Sequence, residues 1–250
     1  MKPIIVAAVA LAVSALPILA DDKDDKIDKK VTEIVKRTGE LYKNAKSIHV
    51  EGTVVSKIDN NGEKRETKAS VVYDSERPNR VSLKSQLDGD AKKGPDVISD
   101  GKNLTIYRKA LKQYVQEEAP DNVAEIGLRV LRLGPAMVGM LFAHVVAEDP
   151  ADLLMQGVNS CSYVGLDKVD GVPAHHMKFS QDQFDWEMWV AAEGTQFILQ
   201  MLRIAEGENG KVRTTETYKN WKLDEATPKQ TFTFVPPKDA SKVDEFQEGQ

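Results

Sequence analysis

The chain has 250 residues, 29% of them charged and 41% hydrophobic, with a formal net charge of −5. That hydrophobic share supports a packed core and excludes wholesale disorder. A single cysteine, Cys161, excludes an internal disulfide and any cysteine-based zinc or iron–sulfur cage, and a uniformly acidic chain is a poor holder of nucleic-acid phosphates.

Met1-Lys2 supplies one positive charge, an apolar run follows from Pro3 to Ala20, and Asp21 to Lys26 is fully charged. A basic start, a short apolar stretch and a small residue at the break predict a secretory signal peptide over 1–20, cut after Ala20. The rival is an uncleaved anchor, although the run is at the short limit of what crosses ~30 Å of hydrocarbon. No cysteine lies near residue 20, so lipid modification of a new N-terminus is excluded. The expected location is the periplasm or another exported compartment, with no stable membrane span after cleavage. Residues 21–30 read as a charged, disordered leader, 31–240 as one domain and 241–250 as a polar tail.

From Val31 the apolar spacing becomes helical: Val31, Ile34, Val35, Thr38, Leu41, Tyr42 and Ala45 mark one face of a helix over about 29–45. At Ser47 the period changes to two. Ile48, Val50, Gly52 and Val54 share one face of a strand, and Asn61-Gly62 marks a hairpin into a second strand near 64–73. Val81, Leu83, Ser85 and Leu87 alternate along a third, and short strands follow at 96–99, 103–108 and 112–117. The meander is interrupted from Pro120 to Val158. Val123, Ile126, Val130 and Leu131 keep helical spacing, and the 133–147 stretch is the most apolar after residue 20, yet too short to span a bilayer. Asp149-Pro150 predicts the cap and first position of another short helix. Strands resume at 160–167, 172–180, 184–191, 196–206, 211–223 and 230–235, and Pro236-Pro237 closes the last. About ten strands, one helix at the start and one helical excursion predict an antiparallel meander with one apolar face.

Four segments carry a resemblance. They are Tyr163-Val164-Gly165, Asp170 to His176, Phe184-Asp185-Trp186-Glu187-Met188-Trp189-Val190, and Phe232-Thr233-Phe234-Val235-Pro236-Pro237-Lys238-Asp239-Ala240. In this order and spacing they resemble an uncharacterised family of predicted periplasmic proteins related to the LolA/LolB lipoprotein-carrier superfamily. The first half agrees through Arg77-Pro78-Asn79-Arg80 and Asp100-Gly101-Lys102, each before a strand. The resemblance covers roughly residues 28–245. It implies an α+β, mainly antiparallel LolA-like curved half-barrel with an N-terminal helix and a central helical lid. In carrier relatives the apolar concavity shelters acyl chains. Related half-barrels also dock protein partners, which is the second reading.

On this basis the expected apolar cavity and lid comprise Val54, Tyr73, Val81, Leu83, Ile106, Met137, Met140, Leu141, Phe142, Trp186, Met188 and Met201, with Arg77 and Arg80 as a polar rim. The competing reading of Trp186, Met188 and the 137–146 segment is plain core. Trp189 falls on the opposite strand face. His175-His176 tempts a metal reading, but adjacent strand residues point to opposite faces, and His49 and His144 stand far off in sequence. Cys161 reads as a small buried residue. Nucleophile-elbow, zincin, phosphate-loop and dinucleotide motifs are all absent. The expectation is therefore a non-enzymatic carrier of a hydrophobic small molecule, lipid or acylated protein, without cofactor or metal. The alternatives are an envelope protein-interaction module and, third, a hydrolase with no recognisable motif. A roomy apolar trough favours the first; an interior filled by its own side chains favours the second.

Overall fold

Asp28 starts the structure's first helix, α1 (Lys29–Asn44), by accepting the Lys30 and Val31 amides on its Oδ1 at 2.8 and 3.4 Å. Its other carboxylate oxygen accepts the Tyr163 amide at 3.0 Å, so the same residue ties the helix to the sheet. The computed structural model describes residues 26–60, 62–131, 141–207 and 210–246.

Six strands follow α1: β1 (Ser47–Asn60), β2 (Glu63–Glu76), β3 (Arg80–Leu87), β4 (Pro95–Asp100), β5 (Asn103–Arg108) and β6 (Gln113–Glu118). The chain then leaves the sheet for α2 (Val123–Leu131), α3 (Leu141–Val146) and α4 (Pro150–Met155). It returns as β7 (Ser160–Val169), β8 (Val172–Ser180), β9 (Asp185–Ala191), β10 (Ile198–Gly207) and β11 (Gly210–Leu223). With a two-residue β12 (Ser241–Lys242), the order across one sheet is β12-β6-β5-β4-β3-β2-β1-β11-β10-β9-β8-β7. All pairs are antiparallel except β12 on β6.

This order explains where the helices lie. The excursion leaves from β6, near one edge, and re-enters at β7, the opposite edge, so α2, α3 and α4 cross the full width of one face. Register shifts in β1, β7 and β10 bend and twist the strands, and the sheet is open and curved, with β12 and β7 at its edges. The inward residues of both halves join α1, α2, α3 and α4 in one apolar cluster. The predicted alternations hold: Ile48, Val50 and Val54 on β1, Ala69, Val71 and Tyr73 on β2, and Trp186, Met188 and Val190 on β9 are buried. A second, small cluster of Val169, Ala174, Trp189 and Leu202 lies on the outer face.

The helices pack at close range. A Cβ at Gly39 of α1 would sit 2.6 Å from the Ala151 Cβ of α4, and one at Gly127 of α2 would sit 2.8 Å from the Val146 side chain of α3. Lys43 also reaches Asp149, the N-cap of α4, at 2.6 Å.

Three expectations need correction. The 230–235 segment is not a strand: Lys229–Phe232 forms a single 3-10 turn, followed by extended chain. β11 already has β1 and β10 on its two sides, so no ladder is open to it. Phe232 instead plugs into the core at 1% exposure, and Phe234 meets the rings of Tyr107 and Tyr114 at 5.7 and 5.1 Å. At the tail, Ser241 and Lys242 pair with β6 and Arg108 stacks over Phe246. The 21–30 segment is not all leader: Ile27 bridges Cys161 in parallel, and the helix has begun by Lys29. The strand count is twelve rather than about ten.

Candidate functional site

The inner wall is assembled from alternating strand positions. Tyr73, Val81, Leu83, Trp186, Met188 and Met201 belong to the main cluster, with Ile106 packed against it. Val54 is 0% exposed and lies on the same face of β1. Leu141 and Phe142 of α3 cover this wall, and the Phe142 ring meets Tyr73 edge-on with centroids 4.2 Å apart. The structure thus brings nine of the twelve expected residues into one contiguous layer and leaves Val54 on the same wall. Met137 and Met140 lie outside the described residues.

Under the start of α3 sits a carboxylate that sequence reasoning missed. Glu216 of β11 is 3% exposed. It accepts the Leu141 amide at 3.3 Å and the Tyr218 hydroxyl on the same Oε2. Burial, and the Glu216 charge beside it, push the Tyr218 phenol well above its ordinary value. The available signal was a charged residue at an inward position: Thr214, Glu216 and Tyr218 alternate on a strand whose inward side chains are buried.

The room left between α3, α4 and the β9 to β11 strands is small. A cavity of about 40 Å³ lies between α3, α4 and β9 to β11, lined by His144, Leu154, Trp186, Met201, Arg203 and Glu216 among others. That volume suits a few waters among its polar groups, whereas a ligand pocket takes about 300–1,000 Å³. In the described residues the wall is therefore covered by the protein's own helices.

The remaining expected residues have internal partners. Arg77 donates from Nε to the Ala45 carbonyl at 3.1 Å. Arg80 pairs with Glu76 and lies over the Phe232 ring, 5.4 Å from its centroid. His175 and His176 point to opposite faces. His175 Nδ1 lies 2.9 Å from the Tyr163 hydroxyl, and burial, then the cations of Lys30 and Arg37, lower its pKa from the ordinary value. His176 meets Glu187 at 2.6 Å and stacks on Trp189, whose indole donates to Asp167 at 3.1 Å. Cys161 is buried, and burial pushes its thiol up. Among the described residues, no three His, Cys, Asp or Glu side chains converge as a metal site, and no helix is long and apolar enough to cross a membrane.

Comparison with solved structures places several chains beside this one. An uncharacterized conserved protein from Thermus thermophilus is 13% identical, with a TM-score of 0.46, over 86% of this chain and 99% of its own. The lipoprotein LppX of Mycobacterium tuberculosis is 10% identical, with a TM-score of 0.42, over 80% of this chain and 98% of its own. A LolA superfamily protein from Nitrosomonas europaea is 11% identical, with a TM-score of 0.37, over 81% of this chain and 96% of its own. No curated protein sequence matches the chain. A family model described as "Predicted periplasmic protein (DUF2092)" matches residues 31–245, and the chain belongs to that family.

Proposed function

We propose that this protein is a non-enzymatic, periplasmic binder of an apolar ligand, an acyl chain of a lipid or of an acylated protein, seated on the inner wall of the half-barrel when α3 lifts away. The observation that carries this reading is the roof. An apolar wall is covered by short helices on a chain excursion, and not by a second sheet. Such a roof can move as a unit without breaking strand ladders. Each methylene buried contributes ~0.8 kcal/mol, so about ten would supply ~8 kcal/mol, a micromolar Kd before the cost of lifting the lid. The family description supports the periplasmic location.

The test is native mass spectrometry of protein secreted and purified without detergent, followed by solvent extraction and titration with a fluorescent fatty-acid probe. A co-purifying apolar species, or probe binding in the low micromolar range, supports the reading. Absence of both refutes it.

A second reading is favoured by the packed interior. With about 40 Å³ open beneath the helices, the half-barrel can serve as a rigid platform that docks an envelope protein. In that case the extraction finds nothing and the wall stays closed.

A further inference from the structure

The helical roof has an outer surface, and it is not a plain solvated face. A groove of about 510 Å³ runs between α2, α3 and α4. Its lining is chiefly apolar: Ala124 and Leu128 on α2, Ala143 and Ala147 on and just after α3, and Leu153 on α4. Leu128 is 55% exposed there, although its neighbours Ile126 and Val130 are buried. Leu128 adjoins Ala124, Ala143, Ala147 and Leu153, so the apolar surface is contiguous and not one scattered side chain.

The rim is of one sign. Glu125, Glu148, Asp149 and Asp152 line the groove, and among the described residues no lysine or arginine does so. Asp149 is matched by Lys43 from α1. Glu125 accepts a bond from the Asn122 side chain at 3.0 Å, a neutral partner. The nearest basic residue of α2, Arg129, is engaged with Glu117 of β6. Two carboxylates at the mouth, Glu125 and Glu148, therefore have no ion pair among the described residues, while Asp152 shares the field of Lys43 with Asp149, in a groove whose volume is of the size that holds a ligand.

We propose that this groove docks a cationic amphipathic helix of a partner protein, its apolar side chains seated against Leu128 and Ala143 and its lysines or arginines reaching Glu125, Glu148 and Asp152. The recognition mode is helix-in-groove, with apolar anchors giving affinity and opposite charges giving register and orientation. A neutral apolar segment would leave the carboxylates without counter-charge, and an acidic one would be repelled. The groove gives the docking reading a surface. It stands whether or not the inner wall takes an acyl chain, because it lies on the other side of the roof.

The experiment uses the full secreted chain and a fluorescein-labelled synthetic helix of about 18 residues, with leucine along one face and lysine elsewhere. Anisotropy measures binding to the wild type, to the double variant Glu125→Lys/Glu148→Lys, and to Leu128→Ser. All three positions are exposed, but Glu125 also shares a reciprocal cap with Asn122, so melting temperatures are measured first and Glu148→Lys alone is carried beside the double variant as the form that leaves the cap intact. The expected result is saturable binding that weakens at least about tenfold in the double variant and about threefold or more in Leu128→Ser. A peptide with every lysine replaced by glutamate should reverse the preference and bind only the double variant. A peptide that keeps its lysines but carries serine for leucine should bind at least about tenfold less tightly. Equal binding, within about twofold, by wild type and double variant overturns the proposal. So does undiminished binding of the serine peptide, which would show bare charge attraction. Fatty-acid probe titration of the same variants keeps the two proposals apart. Lost peptide binding with intact probe binding damages only this groove, and lost probe binding in every form damages only the acyl site.

Discussion

Phe142→Ala is the substitution that separates a lid from a core helix. Phe142 is 5% exposed, and its ring meets Tyr73 at 4.2 Å. Truncating a buried phenylalanine costs about 3–5 kcal/mol against global unfolding, including the 0.5–1.5 kcal/mol of an aromatic pair. If α3 and the ligand compete for the same wall, most of that cost falls on the closed state alone, because the open state has already released the ring. The apparent Kd for an apolar probe equals the intrinsic value divided by the open fraction. Each ~1.4 kcal/mol removed from the closed state then tightens binding about tenfold, until the open form dominates. The variant should therefore unfold at lower denaturant and yet bind a fluorescent fatty acid about ten- to a hundredfold more tightly. Denaturation followed by tryptophan fluorescence and a probe titration give both numbers on one sample. Reduced stability with unchanged or weaker probe affinity would make α3 a plain core helix.

Three further outcomes are expected. Gly39→Ala should lower the melting temperature despite the ~1 kcal/mol that alanine gains over glycine inside a helix, because the new Cβ meets the Ala151 Cβ at 2.6 Å and its backbone nitrogen at 2.7 Å; an equal or raised value in a thermal melt would contradict the close approach of α1 and α4. Asp28→Ala should cost about 0.5–2 kcal/mol as a lost N-cap, read by chemical denaturation. The bond from the Tyr163 amide, chief among the causes, holds the Asp28 carboxyl below its ordinary value. Its stabilisation is thus present above the unfolded pKa near 3.9 and lost as pH falls through the folded value, so Asp28→Asn should flatten the acid limb of a stability–pH curve while keeping part of the cap. Phe232→Ala should cost about 3–5 kcal/mol, an effect unexpected for a tail residue, and a near-neutral result would mean that the C-terminal segment does not anchor there.

Much of this fold is legible in the sequence, and the misses have physical causes. The inward faces of β1, β2, β3 and β9 follow from period-two alternation, since a strand with one buried face must repeat every second residue. The cap and proline at Asp149-Pro150 mark α4 in the same way. The segment Phe232 to Val235 has the alternation of a strand, but alternation reports a half-buried extended chain and is silent on whether a neighbour is free to pair with it. Sheet order decides that, and sheet order is a long-range property. Glu216 was missed for the same reason: a carboxylate on a strand is ordinarily solvated, and only the arrival of α3 from 75 residues away makes it a buried acceptor. The exposed Leu128 groove depends on how three helices meet, which no local period encodes.

The small opening beneath the helices favours docking, so carrying depends on whether the helices can leave the wall. A permanently roofed wall needs no apolar continuity beyond what its roof fills, and polar substitutions away from α3 would be tolerated. A wall that is periodically uncovered must stay apolar along the whole path of a chain. The observed wall runs from β3 through β2, β1, β11 and β10 to β9, but the buried Ser85, Ser56, Thr214 and Glu216 share that face, so the apolar path is confined to the part that Tyr73, Leu83, Met188, Met201 and Tyr218 line. Helix α3 meets α2 at Gly127, whereas α4 is held to α1 by Gly39 and by the Lys43–Asp149 pair. Helix α3 also packs against α1 and α4, so the roof is one joined helical layer, and the carrying reading requires its helices to move off the wall together, which the Phe142→Ala titration tests.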